Sequence, residues 1–220
     1  MELNEEQIKL KEKVLRKISE TKKDSNFKIP IYQEKGQIGN LTNITKNDYN
    51  MGLLKEWREK SQYAFPTVFK VTLEGTEKWL EEQVMKREDR ILFMIENNKR
   101  IYEGHLGFSN FNYIDKSCEI DNVIRGIEGT KGIMTSAHYA ITSWGFFDLG
   151  MRRITLRVFS DLERAVSLYS RAGFKKVKDI PMKKTVDGDK ITFEEAGNDD
   201  EIARLFTVME LTSPYEEIKK

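Results

Sequence analysis

The sequence predicts an α/β domain in which a mixed sheet carries helices on both faces, preceded by a helical extension. Three observations predict it. Segments with apolar residues at strand period alternate with segments at helical period along the 220 residues. Hydrophobic residues make up 39% and aromatics 10%, enough to fill one core at a length where a domain buries roughly 70% of its extended-chain surface. The single cysteine, Cys118, permits no intramolecular disulfide, so that core has no covalent substitute.

Taken in order, residues Asn4 to Lys23 place Ile8, Val14, Leu15 and Ile18 on one narrow helical face, which predicts a helix docked on its own domain or on a second copy. Residues 1–26 form the expected extension and 27–220 the main domain. Between Phe27 and Thr45 two short apolar stretches flank Glu34-Lys35-Gly36, a hairpin pattern. Helices are predicted from Asp48 to Tyr63 and from Glu74 to Arg87, the latter capped by Thr76. A strand meander is expected at Arg90 to Glu96, Arg100 to Phe108 and Cys118 to Ile124. The strongest helix comes next, with Ile133, Ala137, Ala140, Ile141, Trp144 and Phe147 at helical spacing. A strand at Arg153 to Phe159, a helix from Asp161 to Arg171 stopped by Gly173, and late strands at Lys175 to Ile180, Lys190 to Phe193 and Ala203 to Leu211 complete the pattern.

Composition excludes several functions. The 37 Lys and Arg nearly cancel 36 Asp and Glu, and the Lys-rich stretches are interleaved with acids, which argues against nucleic acid as a partner. The amino terminus has no apolar secretory core, and nowhere do 18 apolar residues run together, so no membrane contact is expected. These features and the lone cysteine point to a cytoplasmic protein. His105 and His138, far apart with no carboxylate pattern nearby, read as structural rather than as metal ligands, and no metal is expected.

The chemistry-bearing stretch is EIDNVIRGIEGTKGIMTSA, Glu119 to Ala137, in which a strand feeds a glycine-containing loop that opens a helix. Free amides and the aligned peptide dipoles at a helix start favour a bound anion. Gly129 and Gly132 allow close approach of a phosphate to the backbone. No Gly-Lys-Ser or Gly-Lys-Thr follows a glycine loop, which discounts a nucleotide kinase.

This stretch resembles the motif of the GNAT acetyltransferase superfamily, in particular the branch typified by ribosomal-protein N-terminal acetyltransferases. Glu119-Ile120 and Lys131 to Ala137 fall on that branch's Glu-Ile and Gly-Lys-Gly-Tyr-Ala-Thr-Glu-Ala positions. Downstream, LRVFSDLERAVSLYSRAGFKKV is similar to a second family pattern, with Ala165, Leu168, Tyr169, Gly173 and Phe174 in matching places. The resemblance covers roughly Gly39 to Leu211 and implies a GNAT-like, largely antiparallel central sheet. It implies acetyl-coenzyme A as co-substrate, held by Val123, Ile124, Gly129, Thr130, Lys131, Gly132, Ile133 and Met134. It places Glu119 near the acceptor amine and Tyr169 near the thioester sulfur. Of the superfamily's Arg/Gln-x-x-Gly-x-Gly/Ala pattern only Gly132 is kept, Gly129 and Met134 standing at its ends. Leu162 stands where many relatives hold a coenzyme-contacting Asn, and Asp161 beside it is expected to cap the helix.

Acetyl transfer needs a base for the ammonium proton, donors for the developing oxyanion and an acid for the departing thiolate. Glu119 and Tyr169 fit the first and last roles. Asp121 shares the strand face of Glu119, so the pair would hold a cation or raise one carboxyl's pKa. Arg125 faces the pyrophosphate or pairs with Glu128. Trp57, Arg58 and Phe65 fall in the region that forms the acceptor pocket in similar proteins. The expected activity is therefore N-acetyl transfer to a primary amine of a small molecule or a peptide amino terminus. An amino sugar on a nucleotide carrier, or a non-catalytic coenzyme A-binding domain, is the alternative. A homodimer through the first helix is a further expectation.

Overall fold

The computed structural model describes residues 2–213. Helix α1 (Glu5–Lys23) opens on a capping box: the Asn4 side chain accepts from the Gln7 amide and the Gln7 side chain accepts from the Asn4 amide. Val14 and Ile18 on its inner face are fully buried in the main core. At its far end Lys22 donates to the carbonyls of Val84 and Arg87 at 2.6 and 2.5 Å. The helix thus packs on its own chain.

Strands β1 (Lys28–Gln33) and β2 (Gly36–Asn43) form the expected hairpin. Helix α2 (Asp48–Lys60) comes next, then a two-residue strand β3 (Thr67–Val68) too short to leave a periodic signal in the sequence. Helix α3 (Leu73–Leu80) continues as a wider turn through Met85. Its cap is Thr72 rather than Thr76: Thr72 Oγ1 accepts from the Gly75 amide at 3.0 Å, while the Thr76 hydroxyl donates to the Thr72 carbonyl at 2.8 Å. A cap must precede the first helical turn, and Thr76 lies one turn too far along.

The meander β4 (Ile91–Asn97), β5 (Tyr102–Asn112) and β6 (Ser117–Arg125) leads into α4 (Ile133–Phe147), then β7 (Arg153–Phe159), α5 (Glu163–Arg171), β8 (Lys175–Asp187), β9 (Lys190–Glu195) and β10 (Arg204–Thr212). Among the described residues ten strands form one sheet in the order β1-β2-β4-β5-β6-β7-β10-β8-β9-β3, in which only β6 and β7 run parallel. Strand β4 shows why helices cover both faces. Its alternate residues Ile91, Phe93 and Ile95 join the core beneath α1 and α4, whereas Leu92 and Met94 join the core beneath α2 and α3. Among the described residues no helix is long and apolar enough to cross a membrane, and no cluster of metal-ligating side chains occurs.

The pairing of β5 with β6 is irregular. His105 faces Ile124 but Gly107 faces Asp121, so β6 carries one extra residue. The bulge falls at Asn122, whose φ is +49°. Its carbonyl accepts from Nδ1 of the buried His105 at 2.7 Å. His138, buried in α4, donates likewise to the Met134 carbonyl at 2.7 Å. Burial pushes both imidazoles down to about 4, so both are neutral at pH 7.

This packing can be tested at α1 and at the histidines. Ile18→Ala empties a fully buried site beneath α1 and should cost about 2–5 kcal/mol in urea unfolding, whereas a loss below about 0.5 kcal/mol would mean that α1 is not part of the core. The histidines also set a pH dependence. Their folded pKa values lie below the unfolded value near 6.5, so between about pH 6.5 and 4 the unfolded chain binds protons that the folded chain refuses. Stability therefore falls as pH falls through that window, by roughly 3 kcal/mol for each histidine at its acid end. Melting from pH 7.5 to 4 should show the loss, and His105→Gln should remove part of its slope; an unaltered slope would contradict a neutral buried His105.

Candidate active site

Strands β6 and β7 pair at Ser117 with Arg153, Cys118 with Ile154 and Glu119 with Thr155, and there the pairing stops. Beyond it β6 stays on β5 as far as Arg125, while β7 stays on β10 as far as Phe159. The sheet therefore splits along one seam, and the split opens a cavity of about 650 Å³. Glu119, Ile120, Asp121 and Val123 line one wall; Leu156 and Val158 of β7 with Leu162, Ala165 and Tyr169 of the α5 segment line the other. The two residues that the sequence singles out for acid and base chemistry, Glu119 and Tyr169, thus stand in one cleft.

Both carboxylates on the β6 wall have partners. Glu119 accepts from Arg157 Nε at 2.8 Å and from Asn110 Nδ2 at 2.9 Å. Asp121 Oδ2 meets Arg90 at 2.5 Å, but its Oδ1 is buried with no hydrogen-bond partner of good geometry among the described residues. Burial raises the Asp121 pKa; the Arg90 charge and the side chains of Ser109 and Asn122 oppose it, and the charge of Glu119 adds a smaller push upward. Across the cleft Tyr169 is buried, with its ring edge-on to His138 at 5.2 Å. Burial alone pushes its phenol well above the ordinary range, which keeps its proton in place.

The glycine loop is fixed from below by a residue that sequence reasoning does not single out. Glu103 of β5, almost fully buried, accepts from the Thr130 amide at 2.8 and 3.0 Å, from the Thr130 hydroxyl at 2.8 Å and from Asn97 Nδ2 at 2.6 Å. A Cβ on Gly129 would overlap the Glu103 carboxylate, and one on Gly126 would overlap the Trp57 ring, so both positions exclude side chains by contact. The Thr130 amide is thereby used inside the protein. Those of Met134 and Thr135 lie ahead of the first intrahelical bond of α4, Ser136 to the Gly132 carbonyl at 3.1 Å, and are the ones a helix start leaves to an anion. The side chains of Ile133 and Met134 point into the core, whereas Lys131 is exposed and its carbonyl accepts from Gln33 at 2.9 Å.

A second cavity of about 370 Å³ lies on the α2 and α3 side of β6 and shares Phe65, Pro66 and Asn122 with the cleft. Arg58 lines it together with Phe65. Ile124 lines it too, so its side chain turns away from the cleft that Val123 faces. Trp57 belongs to neither lining: it is buried against His105, with ring centroids 6.0 Å apart. Its size suits the space beneath Gly126, and packing claims it.

One expected contact is replaced, and of the two expected for Arg125 the pair with Glu128 is made. Asp161 does not cap α5; it pairs with Arg204 at 2.5 and 3.1 Å, and Leu162 takes the cap position without a side-chain bond. Arg125 lies 3.8 Å from Glu128 and bonds the Ile127 carbonyl. Arg90, Arg157, Asn110 and Glu103 have no signal in local spacing, since each meets its partner from another segment of the chain.

A family profile described as an acetyltransferase (GNAT) domain matches residues 40–175. Among solved structures, a spermidine N-acetyltransferase from Vibrio cholerae, in complex with CoA and spermine, superposes with a TM-score of 0.59 at 18% identity, over 78% of this chain and 94% of that one. A dodecameric structure of spermidine N-acetyltransferase from the same organism gives 0.59 at 16% identity, over 82% and 98%. A probable GNAT-family acetyltransferase from Chromobacterium violaceum gives 0.62 at 16% identity, over 86% and 88%. No curated protein matches the chain. These identities speak to the fold alone, while the profile spans more than half of the sequence and takes in the β6–β7 split, the glycine loop and all of α5. The chain belongs to the GNAT acetyltransferase family.

Proposed function

We propose that the protein transfers the acetyl group of acetyl-coenzyme A to a primary amine, with the thioester in the cleft between β6 and β7. The observation that carries this reading is the parting of the two strands immediately after Glu119, which sets two carboxylates on one wall opposite a buried phenol. Acetyl-coenzyme A supplies an activated carbonyl and a thiolate leaving group. The residues of the chain fit such a ligand: the apolar side chains of Leu156, Val158, Leu162 and Ala165 on the β7 and α5 wall, helix-start amides at Met134 and Thr135, and backbone left unpaired along Ile120 to Val123 on the side facing β7. On this reading Val123 lines the path, and Ile124, Gly129, Thr130, Gly132, Ile133 and Met134 would contribute through the backbone of the strand, loop and helix start.

Asp121 and Glu119 would take the ammonium proton, directly or through water. A carboxyl whose pKa is raised by burial is the better base near neutrality, and Asp121 is such a carboxyl on the wall of the cleft. Glu119, already bonded to Arg157 and Asn110, orients this wall and adds negative charge beside the amine. Tyr169, kept protonated by burial, would give its proton to the departing sulfur. Glu119-Ile120 and Lys131 to Ala137 favour the ribosomal-protein branch within the family, and the single, fully buried thiol of Cys118 suits a cytoplasmic setting.

Tyr169→Phe should lower turnover by about 10- to 1000-fold while leaving the melting shift produced by acetyl-coenzyme A nearly intact; wild-type turnover would return the ring to a packing role. Asp121→Asn and Glu119→Gln should each slow transfer at pH 7. An alkyl amine with a reference pKa near 10.4 is almost wholly protonated there, so these defects should shrink toward pH 9.5. A rate ratio that stays flat over that range in both variants would remove the carboxylates from proton transfer.

A further inference from the structure

The smaller cavity holds a cation without a counter-ion among the described residues. The Arg58 guanidinium sits 4.0 Å from the centroid of the Phe65 ring and 5.1 Å from that of Phe69, and its Nη2 donates to the Thr67 carbonyl at 2.7 Å. Its Nη1 is buried with no hydrogen-bond partner among the described residues. None of the described residues lining the cavity is an Asp or a Glu, and Lys70 adds a second positive charge to the wall. Burial lowers the Arg58 pKa to about 10 with no acidic neighbour opposing it, so the group remains charged at neutral pH. A part-buried charge with an orphan donor beside an open, otherwise mostly apolar volume is unfavourable unless a ligand completes it.

The adjoining cleft is acidic on balance. Glu119, Asp121, Glu194 and Glu195 line it against Arg90 and Arg157, which pair with Asp121 and Glu119 and leave the two later glutamates as the surplus. The two compartments meet at Phe65, Pro66 and Asn122, so a single acceptor can extend from the acidic side to the basic side. We propose that the acceptor amine also carries an oxyanion, and that Arg58 binds this group while the acidic wall receives the amine. Leu54, Val71 and Trp79 line the remainder, which fits a compact apolar body between the two charges. A polycation satisfies the acidic wall but meets Arg58 and Lys70 with like charge. This inference rests on the amine acetyltransferase reading and narrows its substrate class.

The test uses matched acceptors in a thiol-release assay: phenylalanine against 2-phenylethylamine, O-phosphoethanolamine against ethanolamine, and spermidine. The member of a pair that carries the oxyanion should show kcat/KM about 10- to 100-fold above its partner, the range of a hydrogen bond to a charged group. The better pair shows whether the anion is a carboxylate or a phosphate. Arg58→Met should bring that ratio close to one. Arg58→Lys, which keeps the charge and changes the packing less, should retain part of it. Equal use of both members, a preference for spermidine, or a preference that survives in a folded Arg58→Met protein would overturn the proposal. A second readout needs no acyl transfer: 3-phenylpropanoate and phenyl phosphate are titrated against tryptophan emission, which Trp79 in the cavity wall reports. A saturable change abolished in Arg58→Met supports the anion site even if none of these amines is acetylated, an outcome that counts against the acetyltransferase reading alone. No change with either anion sinks the site itself.

Discussion

The hydrogen bond from His105 to the Asn122 carbonyl is the interaction on which the site turns. A regular strand would keep β6 in step with both neighbours. Instead its extra residue is absorbed at Asn122 in a left-handed conformation, with the displaced carbonyl held by a buried imidazole. Bulges bend a strand and increase its twist, and β6 leaves β7 in the three residues before this one. The bend also turns Val123 toward the cleft and Ile124 toward the second cavity. A packing decision made in the core thereby sets which wall each later side chain faces.

Charge is distributed to match. On the β6 wall each carboxylate is held by an arginine from a different strand, Arg90 from the segment entering β4 and Arg157 from β7, so the acids stay in place without neutralising the whole wall. Under the loop, Glu103 is satisfied by amide and hydroxyl donors rather than by a cation. A buried carboxylate with these bonds made is tolerable, and it orders Thr130 more firmly than exposed ion pairs would.

Legibility in the sequence followed contact range. Helix α4 and the glycine loop were readable because both are local: a helical period and a strand-loop-helix order within a short stretch. The same holds for α5, where Tyr169, Gly173 and Phe174 sit within two turns, and for the hairpin turning at Gly36. Glu103 was not readable, since nothing in its neighbourhood distinguishes it from other strand carboxylates until Thr130 folds over it, 27 residues on. Asp161 looked like a helix cap because Asp is a good one; Arg204, 43 residues away, offered two charge-assisted bonds and won. Trp57 looked like a pocket residue because it falls in the region that forms the acceptor pocket in similar proteins. Only the tertiary structure shows that its ring supports Gly126 from within. The position of β10 between β7 and β8, and the reach of β8 to Asp187, likewise depend on pairing that local pattern does not encode.

The segment between α2 and α3 carries β3 to the far edge of the sheet, where it pairs with β9. The Pro66 carbonyl accepts from the Phe193 amide at 2.7 Å, and the Tyr63 carbonyl accepts from Arg204 at 2.9 Å, joining points 141 residues apart. Contacts of such separation close some of the longest loops in the chain and come late in assembly, after the local helices and the meander have formed. This segment supplies Phe65 and Pro66 to both cavities, so the boundary between them is completed only when the carboxy-terminal strands have docked. A nascent or truncated chain lacking β9 and β10 would contain the glycine loop and both carboxylates yet have no finished partition between its two compartments. The order of synthesis thus makes the partition a late checkpoint in the birth of the protein.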